Sequence, residues 1–333
     1  MNNTRERERL LKVLDGPWGT IGPEFLAANE SLAAFAGSKK ALCVFSASAA
    51  LETILRAQNI GRGDEVVVAA WSDPVDSMTC AAVGAVPVFA DVDENTLTLS
   101  HETVEPALTC RTRALIADLP GGNPCDAAAL SRFCRERGLF FIINLSDSFD
   151  TELCGKKIWK YAGAAFCDFG EGRLIDAGLA GAVLTDDADA FEKYYAYHNC
   201  GRPQNEGASL TFDATLGGDL RIAEWQCALI SERIGRVPEL LEGCLAESWR
   251  VSEKTASVEL VPGGVSSRRG TLVTREKVSG LRYESCFELM CDAPVWMSDY
   301  YLKCTGDSVK EPGDFPVSRF AAANARLAFP EKE

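Results

Sequence analysis

The chain has 333 residues, of which 47% are hydrophobic and 25% charged, enough for one large core with a smaller lobe attached. Its formal net charge of −14 argues against electrostatic capture of nucleic acid or anionic lipid, and the basic pieces Arg268-Arg269 and Lys156-Lys157 are too short to form such a surface. No apolar run approaches the roughly 18 residues of a membrane span, and the polar start Met1-Asn2-Asn3-Thr4-Arg5-Glu6-Arg7 is unlike a signal peptide, so a cytoplasmic protein with no membrane partner is expected.

Short β-branched runs alternate with helical patterns along the chain, the signature of a parallel sheet covered by helices on both faces. Strands are expected at residues 42–45, 65–69, 86–90, 113–117, 139–143, 164–169 and 180–184. Between them, residues 48–60 place Leu51, Ile54 and Leu55 on one helical stripe, and residues 126–137 do the same with Ala129, Leu130 and Phe133. Gly61 and Gly138 follow those helices, and Asp126 reads as an N-cap. Helical patterns return at 188–197 and 220–257, the second divided near Val237-Pro238, where proline suits the first turn of a new helix. From about residue 258 a small α/β lobe is expected, with Gly263-Gly264 at its start and Pro312-Gly313 as an internal turn.

Thirteen cysteines, an odd number at irregular spacing and with no C-x-x-C pair, read as buried free thiols rather than a disulfide or metal framework. With only His101 and His198 present, a histidine-based metal site or catalytic triad is not expected.

A series of motifs carries a resemblance. Ser46-Ala47-Ser48-Ala49-Ala50-Leu51 matches a G-T-x-A-L element, Gly61-Arg62-Gly63-Asp64-Glu65-Val66 matches G-x-G-D-E-V, and Gly84-Ala85-Val86-Pro87-Val88-Phe89-Ala90-Asp91-Val92-Asp93 matches G-A-x-P-V-x-x-D-V-D. Further on come Ile142-Ile143-Asn144-Leu145-Ser146-Asp147, Phe166-Cys167-Asp168-Phe169-Gly170-Glu171-Gly172-Arg173, Ala180-Gly181-Ala182-Val183 and Gly217-Gly218-Asp219-Leu220-Arg221. In order and spacing these resemble the DegT/DnrJ/StrS sugar aminotransferases, which belong to fold type I of the pyridoxal-phosphate (PLP) enzymes. The resemblance spans residues 16–235, fades, and returns weakly at Phe315-Pro316 and Leu327-Ala328-Phe329-Pro330.

It implies a three-layer αβα large domain with a mostly parallel seven-stranded sheet and an N-terminal helix over residues 1–235, followed by a shortened small α/β domain over 236–333. It also implies a role in nucleotide-sugar or polysaccharide metabolism, a nucleotide sugar as a ligand, and a pocket completed by a second subunit, in a homodimer or in a heterodimer with an active paralogue.

Carried over one position at a time, the pocket departs from the family. The lysine that takes the cofactor as a Schiff base falls at Arg173, and the aspartate that keeps the pyridine nitrogen protonated falls at Asn144. An arginine stays charged above pH 12 and cannot become a nucleophilic amine, and a neutral amide cannot hold a proton on the ring. The stacking aromatic falls at Asp73, with Trp71 two residues upstream as a substitute if the loop slips. Of the phosphate-binding positions, Ser48 keeps its hydroxyl while Ala47 replaces a glycine, and the serine of S-F-x-x-x-K and the asparagine of G-x-N-x-R fall at Asp168 and Asp219. The residue beside the phenolic oxygen falls at Asp147.

At about 4 Å and an effective dielectric of 20, each misplaced carboxylate charge repels on the order of 4 kcal/mol before relaxation. Arg173 and Arg221 are expected to neutralise part of this, with an Arg173–carboxylate network filling the old cofactor space. The leading expectation is therefore a non-catalytic sugar-binding or partner homologue that holds no cofactor covalently. The alternative is an active PLP- or PMP-dependent sugar aminotransferase or dehydratase, using Lys156, Lys157 or Lys160 or pre-formed PMP. The family includes a dehydratase branch with histidine at the lysine position, so loss of lysine alone does not end its chemistry.

Overall fold

A computed structural model describes residues 4–16, 19–147, 149–171, 173–204 and 216–239, together with strand residues 264–265, 272–274, 281–285 and 326–330. In chain order the elements are α1 (Thr4–Asp15), α2 (Pro23–Ala36), β1 (Lys40–Val44), α3 (Ala47–Ala57), β2 (Glu65–Ala69), α4 (Pro74–Ala82), β3 (Val86–Ala90) and the single turn α5 (His101–Val104). There follow β4 (Thr112–Asp118), α6 (Ala127–Arg137), β5 (Phe140–Asn144), the two-residue strands β6 (Glu152–Leu153) and β7 (Lys156–Lys157), β8 (Ala164–Asp168), β9 (Gly181–Thr185), α7 (Ala188–His198) and α8 (Glu224–Ile234). The last strands are β10 (Gly264–Val265), β11 (Leu272–Thr274), β12 (Leu281–Ser285) and β13 (Arg326–Pro330). Seven strands form one mixed sheet in the order β1-β9-β8-β5-β4-β2-β3.

The chain divides into two compact units, Met1–Asn59 with Gly163–Glu239, and Ile60–Ala162 with Leu240–Glu333. In the first unit β9 lies between β1 and β8 and is antiparallel to both. Each helix here has a local reason for its ends. Pro23 opens α2, and Gly37, in the left-handed region at φ 65°, closes it by donating to Ala33 and Ala34 carbonyls. Ser46 caps α3 by accepting from the Ala49 N–H, and Asp187 caps α7 through two backbone N–H groups. Phe25, Ala28, Leu32 and Ala36 of α2 recur at helical spacing and are buried. Gly181 is required where β9 passes α3: a Cβ there would lie 2.5 Å from the Ser46 carbonyl oxygen.

In the second unit β5, β4, β2 and β3 are parallel neighbours. Val66, Val67, Val68, Leu115, Ile116, Ile142 and Ile143 are wholly buried, as expected of strands covered on both faces. The turn before β2 is built by Asp64, whose carboxylate accepts from the Gly61 N–H, and by Gly63 at φ 95°. Because the strands run parallel, their C-terminal ends come level, and Asp118 pairs in register with Asn144. In the stretch expected to form the small lobe, β11, β13 and β12 make a three-stranded antiparallel sheet and β10 pairs with β6. Pro312-Gly313 lies outside the described residues.

Strands β2 and β3 have the expected limits, β8 ends one residue early, and β1, β4, β5 and β9 differ by one or two residues at each end. Two helix expectations are corrected. The helix expected over 48–60 with Gly61 after it ends at Ala57 with Gln58 as its C-cap, and Gly61 belongs to the Asp64 turn before β2. The segment expected to be helical from residue 220 starts its helix at Glu224, because residues 219–223 are extended, with Asp219 bridged to Asn199 and the Leu220 N–H bonded to the His198 carbonyl. The expected break at Val237-Pro238 is present: α8 ends at Ile234 and residues 237–239 resume helical structure.

Candidate cofactor site

The residues carried over from the family pocket fall into both units, each of which holds a separate arrangement. In the first unit, the end of β8 turns sharply. The Asp168 carboxylate accepts from the Gly170 N–H at 2.8 Å and from Arg173 Nε at 2.8 Å, and the Arg173 N–H returns to the Gly170 carbonyl at 3.1 Å. Both side chains of the ion pair are 19% exposed, and the guanidinium, at the residue that the resemblance aligns with the lysine, is tied to the carboxylate five residues before it. The expected pairing of Arg173 with a carboxylate is thus present, with Asp168 as its partner.

Next to it in sequence pattern, Ala47 and Ser48 form the first turn of α3. Ala47 is buried and Ser48 exposed, and the Ser48 hydroxyl hydrogen-bonds to that of Ser46 at 3.0 Å. Asp219 and Arg221 form a two-pronged pair, Nε to Oδ1 at 2.7 Å and Nη2 to Oδ2 at 3.0 Å. The bond from Arg221 holds the Asp219 carboxyl below its ordinary range. Behind this strand, His198 is fully buried, stacked on Phe25 at 5.8 Å and edge-on to Tyr195 at 4.7 Å. Burial pushes it down to about 4, so its ring is neutral at physiological pH.

In the second unit, a chain of carboxylates joins the ends of β2, β4 and β5. Asp73 caps α4 by accepting from the Val75 N–H at 2.9 Å, and its own N–H donates to Asp118 Oδ2 at 2.9 Å. Asp118 also accepts from the Leu119 N–H at 2.8 Å. Burial, with the charge of Asp73 added, pushes Asp118 up to about 7. Asp76, in the first turn of α4, is wholly buried and accepts from Asn144 Nδ2 at 3.0 Å. Burial first, and then the charges of Asp118 and Asp73, raise it well above the carboxylate range, against a smaller pull from the Asn144 amide. The Asn144 oxygen accepts from the Ser146 N–H at 3.0 Å and the Ser146 hydroxyl at 2.6 Å. Asp147 accepts from the Gly121 N–H at 3.2 Å.

Asp73 is therefore engaged as a helix cap, and Trp71 just before it is buried. Of the lysines considered as substitutes, Lys157 pairs with Asp150 and Glu152, Lys156 lies over the Tyr161 ring at 4.1 Å and Lys160 over Trp159 at 4.8 Å. Asp76 and Asp118 carry no motif of their own. The available signal was positional: Asp76 shares a helix face with the cap three residues before it, and Asp118 ends a strand. Among the described residues no group of three or more His, Cys, Asp or Glu could hold a metal ion, and burial pushes the Cys43, Cys167 and Cys227 thiols up, so they stay protonated.

The fold and this arrangement of strand ends define the class: PLP-dependent aminotransferase architecture. The solved structure of 3-amino-5-hydroxybenzoic acid synthase is similar at a TM-score of 0.86 and 21% identity, over 98% of this chain and 91% of that one. The PLP-form of the putative sugar aminotransferase Spr1654 from Streptococcus pneumoniae is similar at 0.85 and 18%, over 100% and 92%. The DegT/DnrJ/EryC1/StrS aminotransferase family model matches residues 1–253, and the chain belongs to that family.

Among its curated relatives, 3-amino-5-hydroxybenzoate synthase of Amycolatopsis mediterranei is 29% identical over 301 residues, 83% of this chain and 77% of the relative. The spore coat polysaccharide biosynthesis protein SpsC of Bacillus subtilis is 32% identical over 188 residues, 56% of this chain. GDP-perosamine synthase of Vibrio cholerae is 28% identical over 203 residues, 61% of this chain. The chain spans about half the length of these last two, 48% and 54%.

The residues that the resemblance aligns with the family's Schiff-base lysine and ring-protonating aspartate do not fit PLP held in that way: Arg173, paired with Asp168, is a guanidinium and offers no amine, and Asn144 is an amide and offers no acid. No helix among the described residues is long and apolar enough to cross a membrane.

Proposed function

We propose that this chain is a family member that has given up covalent cofactor chemistry and serves nucleotide-sugar or polysaccharide metabolism as a sugar-binding or partner homologue. The observation that carries the reading is the Arg173–Asp168 ion pair at the lysine position. A guanidinium cannot shed its proton near neutral pH, and here its charge is also matched by a neighbouring carboxylate. The names of relatives in perosamine and spore-coat polysaccharide synthesis support the metabolic setting.

The protein acts as a homodimer, or as a heterodimer with an intact paralogue whose pocket it completes. Mixing the purified protein with PLP and reducing with borohydride tests the covalent part: no bleachable visible band and no lysine adduct by mass spectrometry are expected. A modified lysine would sink the reading. Thermal shifts over a panel of nucleotide sugars test the ligand class, since a sugar at 100 times its Kd adds roughly 2.7 kcal/mol of stability. No shift with any of them favours the partner role, which co-purification with an intact paralogue then tests.

A further inference from the structure

Helix α1 is attached to its unit more by charge than by burial. None of its twelve residues is buried, and Leu11 and Leu14 are 47% and 46% exposed. Two side chains of opposite charge, three residues apart on one face, make the attachment, and each meets two partners. The Glu6 carboxylate accepts from Arg233 of α8 through Nε at 3.1 Å and Nη2 at 3.3 Å, and Arg236 Nη1 lies 3.7 Å from it. Arg9 reaches Glu24 of α2 at 2.6 Å and Glu232 of α8 at 3.7 Å. All six side chains are between 15% and 32% exposed, so dissolved salt can screen every pair. A helix of this length is marginal in water once it leaves its neighbours.

Arg233 also has a partner on its other side. With Nε and Nη2 both bonded to Glu6 the plane of the guanidinium is fixed, and Nη1 donates to the Asp176 carbonyl. Asp176 belongs to residues 174–180, which follow Arg173 directly and lead into β9. Within that loop the Ala177 N–H donates to the Phe169 carbonyl at 2.8 Å and the Asp176 carboxylate accepts from the Gly178 N–H at 2.9 Å. Gln226 of α8 donates to the Ala177 and Leu179 carbonyls. Two side chains of α8 therefore hold the loop, and one of them is oriented by a carboxylate on α1.

We infer that α1 is a releasable strap: ion pairs latch it to α2 and α8, and through Arg233 its docking sets the order of the loop that follows Arg173. Glu6 and Arg9 form the latch, and Arg233 is the link. The strap thereby bears on position 173 whatever ligand or partner the chain takes, which goes beyond the proposed function.

Hydrogen exchange of the whole protein, read by mass spectrometry on peptides spanning residues 4–15 and 174–180, tests this. Raising salt from about 0.1 M to about 1 M shortens the screening length from about 10 Å to about 3 Å. Both peptides are expected to exchange about tenfold faster, while β8 and β9 keep their rates. Arg9→Ala separates coupling from direct screening of Arg233, because the pairs of Arg9 include neither Arg233 nor the loop. That variant should speed both peptides at least about threefold, and Glu6→Gln should do the same and lose most of the salt response. Should either variant fail to fold, the salt series on the unaltered protein decides. An α1 peptide indifferent to salt, a loop that stays protected when α1 loosens, or acceleration throughout the sheet would each overturn the inference.

Discussion

Replacing Arg173 by lysine restores a titratable amine, but Asp168 remains as the ion-pair partner and favours the ammonium form. An upward shift of about one pKa unit leaves about tenfold less free amine. Arg173→Lys alone is therefore expected to give only a weak visible band with PLP, and Arg173→Lys with Asp168→Ser a band several times stronger. Equal bands would remove Asp168 from the account. Two buried groups set opposite pH responses. Asp118 keeps its proton in the folded chain up to about 7 against 3.8 when exposed, so the folded state holds the extra proton in that window and stability falls as pH rises. His198 stays neutral down to about 4 against 6.5, so its contribution is lost as pH falls through that range. At 1.36 kcal/mol per pKa unit the Asp118 effect is of the order of 4 kcal/mol and the His198 effect of the order of 3, and they oppose one another. Urea midpoints of Asp118→Asn should therefore decline toward acid pH relative to the unaltered protein, and those of His198→Phe should climb. Parallel profiles would contradict both assignments. Arg173 and Asn144 were singled out in sequence because motifs flank them. Asp76 and Asp118 were not, since a carboxylate at a strand end or in a first helical turn looks like an ordinary cap, and only the level ends of parallel strands bring them to Asn144.

Helix α2 begins on a side chain from the far end of its unit. The Glu224 carboxylate accepts from the N–H groups of Gly22, Glu24 and Phe25 at 2.9, 2.9 and 3.0 Å. These are orphan donors of a first turn, here in a part-buried setting. Glu224→Ala is expected to cost about 2–4 kcal/mol by leaving them unmatched, and Glu224→Gln less, because one oxygen remains. Urea midpoints at an unchanged m-value would measure it. Gly181→Ala should destabilise by at least about 2 kcal/mol, since the new methyl meets backbone at Ser46 and not a side chain that could swing away. A change under about 0.5 kcal/mol would mean that β9 and α3 part easily. Element limits were most legible where turn chemistry brackets the strand, as Gly63-Asp64 does before β2 and Gly84 before β3. They were least legible before α8, where no side-chain cap on residue 223 marks the start and a long-range bridge at Asp219 keeps the chain extended.

Across the whole chain, the alternation of strands and helices and the motif order were enough to reach the fold, which the family match over residues 1–253 and the similarity to solved aminotransferases support. Which strands become neighbours was not legible from periodicity, because a buried run such as Val66-Val67-Val68 suits any interior position of a sheet. The order β1-β9-β8-β5-β4-β2-β3, with β9 reversed, is a property of long-range pairing. That pairing also limits what one substitution can do. An acid placed at position 144 would stand as a third carboxyl between Asp118, its register neighbour, and Asp76, which now accepts from the Asn144 amide. Burial and like-charge neighbours favour the neutral form of such a group, so Asn144→Asp would add a proton to the strand ends without adding a charge.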